Sequence, residues 1–167
     1  FDARQIFAHL RKLENSNAQG EYYLTDMVAI LRAEGLAVRA LQTDDATETL
    51  GINTRVQLAD AGKVLQRRIN ERHMLAGVTM TDPGLVWIGP DVQLGRDVII
   101  EPLTRLMGRT AVGDGSVLGP DTRIADSTVG ACCTIDSSIV VGCTLGDRVT
   151  VGPRAYLHPG TVMGGDS

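Results

Sequence analysis

Few side chains of this 167-residue chain are of types that do chemistry, and most also have a structural explanation. In Glu21-Tyr22-Tyr23-Leu24-Thr25-Asp26 a phenol and a hydroxyl stand two residues apart. Such groups suit hydrogen bonding to a sugar, although Tyr23 alone also fits packing and Thr25 a helix cap. Asn53, in Gly51-Ile52-Asn53-Thr54, stands where a helix begins, so by residue type it reads as an N-cap. The one glycine there is too weak a signal for a phosphate-binding loop. His158, in Gly152-Pro153-Arg154-Ala155-Tyr156-Leu157-His158-Pro159-Gly160, could act as a general base, the weaker of its readings. His9 and His73 fall in helical segments and are expected to face solvent. Cys132, Cys133 and Cys143 are odd in number and match no zinc spacing. Neighbouring residues of a strand point to opposite faces, so one of Cys132 and Cys133 should be interior and the other exposed.

The frame that positions these residues is a repeat of period six. Ile88, Leu94, Ile100, Leu106, Val112, Leu118 and Ile124 follow one another at that interval. After a slip of one, Val129, Ile135 and Val141 continue; after a slip of two come Leu145, Val151, Leu157 and Met163. Four residues beyond the anchors stand small, hydroxylated or aliphatic residues, among them Thr104, Thr110, Ser116, Thr122, Thr128 and Ile139. Neither the 3.6 period of a helix nor the 2 of a strand fits. Six is the period of the left-handed parallel β-helix, in which three hexads close a triangular coil around inward aliphatic anchors. The stretch has room for roughly four coils, stacked about 4.8 Å apart. Val117, Val140 and Val162 fall at outward positions where copies of the prism could associate as a homotrimer.

The preceding residues read differently. Residues 2–13 predict an amphipathic helix with Ile6, Leu10 and Leu13 on one face. A polar turn at 15–20 leads to a second helix, capped by Thr25 or Asp26 and stopped at Glu34-Gly35; residues 36–41 alternate as a strand would. A helix from Arg55 to about Leu75, with Asn53 or Thr54 as its cap, buries a narrow stripe from Val56, Leu58, Val64, Leu65, Ile69 and Leu75. The expected organisation is an α/β remnant over residues 1–53, a helical arm over 54–80, and the β-helix over 81–167. With one strand and two short helices, the first segment reads as a piece of a larger α/β unit, and both ends read as truncations.

A hydrophobic content of 43% supports a core, and the scarcity of aromatics (one Trp, three Tyr, two Phe) suits a narrow prism filled with Val, Ile and Leu. A net charge of −4 gives no reason to expect nucleic acid or an anionic membrane as partner. No apolar run approaches the length of a membrane span and no signal peptide opens the chain, so a cytoplasmic protein is expected.

Two stretches resemble one family. Asn17-Ala18-Gln19-Gly20-Glu21-Tyr22-Tyr23-Leu24-Thr25-Asp26 with Gly51-Ile52-Asn53-Thr54-Arg55 resembles the end of a sugar-nucleotide pyrophosphorylase domain. Arg72 with Leu75-Ala76-Gly77-Val78 and Asp82-Pro83 is similar to an arm leading into a hexapeptide domain. That order resembles the GlmU family, bifunctional N-acetylglucosamine-1-phosphate uridylyltransferases and glucosamine-1-phosphate N-acetyltransferases. The resemblance implies an enzyme that acetylates glucosamine-1-phosphate with acetyl-CoA. It then transfers uridylyl from UTP to N-acetylglucosamine-1-phosphate, yielding UDP-N-acetylglucosamine for peptidoglycan and lipopolysaccharide. It further implies that Asn53 contacts the uridyl nucleotide and ligates a catalytic Mg²⁺, and that Tyr23 and Thr25 line the N-acetylglucosamine pocket. Glu21 and Asp26 keep structural roles. The nucleotide-binding glycine loop and the metal-binding Asp of the first site, and the general base of the second, have no counterparts here, so the chain alone should be inactive. The family places at His158 an Arg that contacts the sugar phosphate, for which a neutral imidazole is a weaker partner. The alternatives are a non-catalytic trimerising hexapeptide module, or another sugar-nucleotide pyrophosphorylase with a hexapeptide tail.

Overall fold

A computed structural model describes residues 2–167; Phe1, the first residue of the expected α/β piece, lies outside them. The chain divides into two compact units, one ending at Glu48 and the other running from Thr49 to Ser167.

The second unit is dominated by a left-handed parallel β-helix of three five-stranded sheets. The first sheet stacks Thr79–Met80, Ile99–Ile100, Val117–Leu118, Thr134–Ile135 and Thr150–Val151. The second stacks Trp87–Ile88, Arg105–Met107, Arg123–Ala125, Ile139–Val141 and Tyr156–Leu157. The third stacks Gln93–Leu94, Ala111–Val112, Thr128–Val129, Thr144–Leu145 and Val162–Met163. Each strand pairs with the one three positions on, so there are five coils rather than the roughly four expected. The additional strand is Thr79–Met80, which pairs with Ile99–Ile100 from within the expected arm.

The anchors fill the prism in three columns. Ile100, Leu106, Leu118, Ile124 and Ile135 are fully buried. Register corrects two features of the repeat. The anchor of the fourth coil on the second sheet is Val140, opposite Ile124 and Leu157, and not Val141. Val140 is fully buried and cannot serve as the outward contact expected of it, whereas Val162 is exposed and Val117 half-buried. Ile139-Val140-Val141 is an unbroken aliphatic run, so hydrophobicity offers no choice among the three; backbone pairing makes it. The second buried layer shifts likewise, to Ser127 and Ser138 instead of Thr128 and Ile139. These inward hydroxyls are satisfied by backbone of adjoining turns and coils: Ser116 Oγ donates to the Gly130 carbonyl at 3.1 Å and accepts from the Cys133 N–H at 3.1 Å. A hydroxyl can thus replace an aliphatic group inside the prism without stranding a polar atom. Cys133 and Cys143 are interior and Cys132 is exposed, as alternation requires.

After each strand of the third sheet the chain turns through Gly95, Gly113, Gly130 or Gly146, stacked on one another. A Cβ on Gly113 would stand 2.6 Å from the Ala131 nitrogen and 2.7 Å from the Gly130 carbonyl carbon. The directly stacked coils leave no room for a side chain.

Helix α3 (Arg55–Leu75) leads into the solenoid. Its N-cap is Thr54, in a reciprocal box: Gln57 N–H donates to Thr54 Oγ1 at 3.1 Å, and Thr54 N–H to Gln57 Oε1 at 3.0 Å. Its buried face is Gln66, Ile69, Asn70 and His73, with Ile69 joining the solenoid core. The stripe expected from Val56, Leu58, Leu65 and Leu75 is exposed, at 91% for Leu75. The reason lies in the edge it covers. In each coil the strand N–H groups donate to carbonyls of the following coil, as Trp87 N–H does to Thr104 at 3.0 Å. The equivalent carbonyl of the first coil, Val86, has no earlier strand to serve it and takes side-chain amides from α3 instead.

The first unit holds α1 (Ala3–His9), capped by Asp2 and continued by a 3-10 turn at Leu10–Lys12, and α2 (Met27–Ala33). Neither Thr25 nor Asp26 caps α2 through its side chain; a 3-10 turn at Leu24–Asp26 precedes it, and Gly35, at φ +74°, follows its end. Residues 36–41 form no strand: alternation alone cannot make one where no described residue pairs with them. His9 and His73 are both buried, against the expectation of solvent-facing rings. His9 Nδ1 lies 2.6 Å from the Gln5 carbonyl and Nε2 lies 2.6 Å from Glu34 Oε2, while Lys12 pairs with the other Glu34 oxygen.

Candidate functional site

Tyr23 and Thr25 lie between α1 and α2, on a segment organised by Asn17. The Asn17 Oδ1 accepts from the N–H groups of Gln19 at 3.1 Å and Glu21 at 3.2 Å, and its Nδ2 donates to the Glu21 carbonyl at 2.5 Å. Gly20 completes the turn in the left-handed region, at φ +67°. The Tyr23 hydroxyl donates to Gln19 Oε1 at 3.0 Å and its ring is half-buried, while Thr25 is exposed in the following 3-10 turn. A phenol, a carboxamide and an accessible hydroxyl thus share a short stretch, with donors and acceptors able to meet sugar hydroxyls. Asn17 was legible as an Asx turn closed by a glycine three residues on, a signal the motif obscured.

The bonds among His9, Lys12 and Glu34 join the helices that flank this segment. The Gln5 carbonyl first, and the Glu34 carboxylate next, hold the His9 imidazolium above the ordinary histidine range. Lys12, followed by His9, holds Glu34 below the usual carboxylate range.

Asn53 belongs to the second unit, one residue before the α3 cap. It is exposed, and its backbone N–H donates to Gln57 Oε1 at 2.8 Å. Capping falls to Thr54, so the Asn53 carboxamide is left to other partners. It offers one neutral oxygen, where a Mg²⁺ ion takes about six oxygen ligands. Among the described residues no three His, Cys, Asp or Glu gather to hold a metal.

His158 follows the Tyr156–Leu157 strand in the fifth coil and is exposed. Its ring stands edge-on to Tyr156, centroids 4.7 Å apart at 86°. Its carbonyl accepts from Thr161 Oγ1 at 2.7 Å, which fixes the turn. Among the described residues no carboxylate orients the imidazole, as a general base would need. Tyr23 and Thr25 thus fall in the first unit, Asn53 and His158 in the second, the latter two on different elements.

No protein-family model matches the chain. Among curated proteins it is 48% identical to the bifunctional protein GlmU of Mycolicibacterium vanbaalenii over 164 residues, which is 98% of this chain and 33% of that protein. It is 44% identical to GlmU of Staphylococcus haemolyticus over 166 residues, 99% of the chain and 37% of the relative. It is 45% identical to GlmU of Mycobacterium tuberculosis over 166 residues, with 99% and 34% covered. The chain spans about a third of the length of these relatives. Among solved structures, a mutant of perosamine N-acetyltransferase from Caulobacter crescentus, in complex with CoA and GDP-perosamine, covers 61% of this chain at 14% identity. Its TM-score of 0.32 is too low to bear on fold or function.

Proposed function

We infer, from a chain that is GlmU-type sequence over nearly its whole length, that it supplies the joint between the two halves of a bifunctional enzyme making UDP-N-acetylglucosamine. The observation that carries this reading is the identity of 44–48% over 98–99% of the residues, which spans the sugar-facing motif, the helix and the hexapeptide coils together. In one reaction the amine of glucosamine-1-phosphate takes the acetyl group of acetyl-CoA, releasing the CoA thiol. In the other a phosphate oxygen of N-acetylglucosamine-1-phosphate attacks the α-phosphorus of UTP, releasing pyrophosphate. Such transfer depends on neutralising phosphate charge and on in-line positioning.

In this reading Tyr23 and Thr25 form one wall of the N-acetylglucosamine pocket, and Asn53 contacts the uridyl nucleotide. Asn53 also contributes one oxygen to a Mg²⁺ shell whose other ligands come from outside these residues. His158 stands where a guanidinium would hold the sugar phosphate of the second reaction. The β-helix associates as a homotrimer through an outward prism face, and the 167 residues alone catalyse neither step.

The test is a chimera in which this chain replaces the matching third of the Mycolicibacterium vanbaalenii protein. Both activities are expected in the chimera and neither in the isolated chain. Asn53→Ala should lower uridylyl transfer at least tenfold and leave acetyl transfer unchanged. Turnover by the isolated chain, or full uridylyl transfer by the Asn53→Ala chimera, would sink the assignment. A folded trimeric chimera without either activity would favour a purely structural trimerising module.

A further inference from the structure

The three prism faces differ in charge. Outward on the second sheet stand Trp87, Arg105, Arg123, Ile139 and Tyr156. The equivalent positions of the third sheet carry no charge at all, and those of the first sheet are followed by Glu101 and Asp136. Among the outward strand positions of the solenoid the two cations, Arg105 and Arg123, thus share one face, in a chain whose net charge is −4.

Arg105 and Arg123 lie directly opposite each other in adjacent coils, as their parallel strand pairing requires. Like charges at directly opposed positions of a sheet repel, and a neighbouring carboxylate usually relieves them. None does so here: both side chains are exposed, and neither takes part in an ion pair with a described residue. Met107 and Ala125, further along the same strands, bring no acid to the face. One coil before Arg105, Lys63 of α3 places its Nζ 5.0 Å from the centre of the Trp87 ring, adding a third positive charge beside the pair. Adjacent parallel strands hold the two arginine backbones about 4.8 Å apart. At that separation two planar guanidinium forks can converge on the oxygens of one tetrahedral anion, the geometry that favours arginine in phosphate recognition.

We propose that Arg105 and Arg123, with Lys63 beside them, form a binding site for a phosphate-type oxyanion, taken up either free or as the phosphate monoester end of a larger molecule. The ligand supplies the negative charge that the face lacks. The site does not involve His158, which lies two coils beyond Arg123.

The test is a titration of the 167-residue chain with inorganic phosphate and separately with glucose-1-phosphate, followed by calorimetry at low ionic strength. Saturable binding is expected, weakened at least tenfold by Arg105→Gln or Arg123→Gln and unchanged by Arg109→Gln, which removes a charge elsewhere. Phosphate should raise the melting temperature of the parent chain and not that of the Arg105→Gln/Arg123→Gln variant. Without phosphate that double variant should melt above the parent, because the opposed charges are gone. Tighter binding of glucose-1-phosphate than of phosphate identifies a monoester ligand, and equal or weaker binding a free anion. Non-saturable binding to the parent, or equal affinity in the double variant, would overturn the proposal.

Discussion

The Asn70 carboxamide donates to the Val86 carbonyl at 2.9 Å, and Gln66 donates to the same oxygen at 2.6 Å, both out of contact with water. Two side chains of α3 thereby perform, at the first coil, the service that a strand N–H performs at every later one. Unpaired strand edges invite association, and solenoids blunt them with a covering element. The polar face of α3 is therefore the fitted face, and an aliphatic one would strand the carbonyl beneath it.

Asn70→Leu should accordingly destabilise the second unit although it adds apolar surface. The Pro83 carbonyl loses its Asn70 donor and the Val86 carbonyl keeps only Gln66, at about 0.5–1.5 kcal/mol for each hydrogen bond lost. Exposed Leu65→Asn should cost less than about 0.5 kcal/mol. Denaturant melts of the two variants compare them directly. Equal stability would mean that water serves the edge and α3 does not.

The glycine column separates conformation from crowding. Gly113 and Gly164 occupy equivalent corners three coils apart, and neither has a positive φ. A Cβ on Gly113 meets the next coil's backbone at 2.6 Å, whereas one on Gly164 meets nothing within 4 Å. Gly113→Ala is expected to cost about 1–3 kcal/mol through forced backbone displacement, while Gly164→Ala should be neutral or slightly stabilising. Similar losses in thermal melts of both would show that stacking does not select these glycines.

Val140 and Val141 are chemically identical neighbours with opposite fates. Val140→Asp puts a carboxylate into the prism among Ile124, Cys143 and Leu157 and should cost more than about 4 kcal/mol. Val141→Asp, on the half-buried side, should cost about 1 kcal/mol or less. Expression and melting of the pair settle the register, and a more damaging Val141→Asp would contradict it.

The same pair marks how far the sequence was legible. Period-six anchors defined the β-helix because each coil repeats one pattern of burial. Where a coil is one residue short, as between Ile135 and Val140, an aliphatic triplet erases the phase and only strand pairing restores it. Helix α3 was legible at both ends, from Thr54 and from Ala76-Gly77, but its buried face was not. A polar face packed on orphan carbonyls violates the amphipathic pattern that a sequence reading relies on. For the candidate site, the residue types of Tyr23, Thr25 and Asn53 were legible and their immediate partners were not. Gln57, which holds the Asn53 N–H, is readable in sequence only as the second half of the Thr54 capping box, and nothing in the residue type of Gln19 marks it as the partner of the Tyr23 hydroxyl.

The two buried histidines should respond to pH in opposite directions. His9 faces two acceptors, the Gln5 carbonyl and Glu34, with Lys12 on the far side of that carboxylate; its pKa is raised in the folded state. Its contribution is complete below the unfolded value of about 6.5 and is lost as pH rises through the higher folded value. Glu34, lowered mainly by Lys12, contributes above about 4.3 and fails only as pH falls through its depressed folded value. The link between α1 and α2 is thus strongest between those limits and loosens on the alkaline side of 6.5. For His73 the folded pKa is lowered, first by burial and then by Arg72, and its Nε2 has no protein partner. Its neutral ring is accommodated above about 6.5, and stability at the α3 junction falls as pH drops through the lower folded value. Proton NMR titration of the ring C–H signals should find His9 titrating above, and His73 below, the ordinary histidine midpoint. Amide protection, taken relative to the intrinsic exchange rate at each pH, should fall in α2 at alkaline pH and near the end of α3 at acid pH. The reverse order of the two midpoints would show that neither ring keeps the environment described.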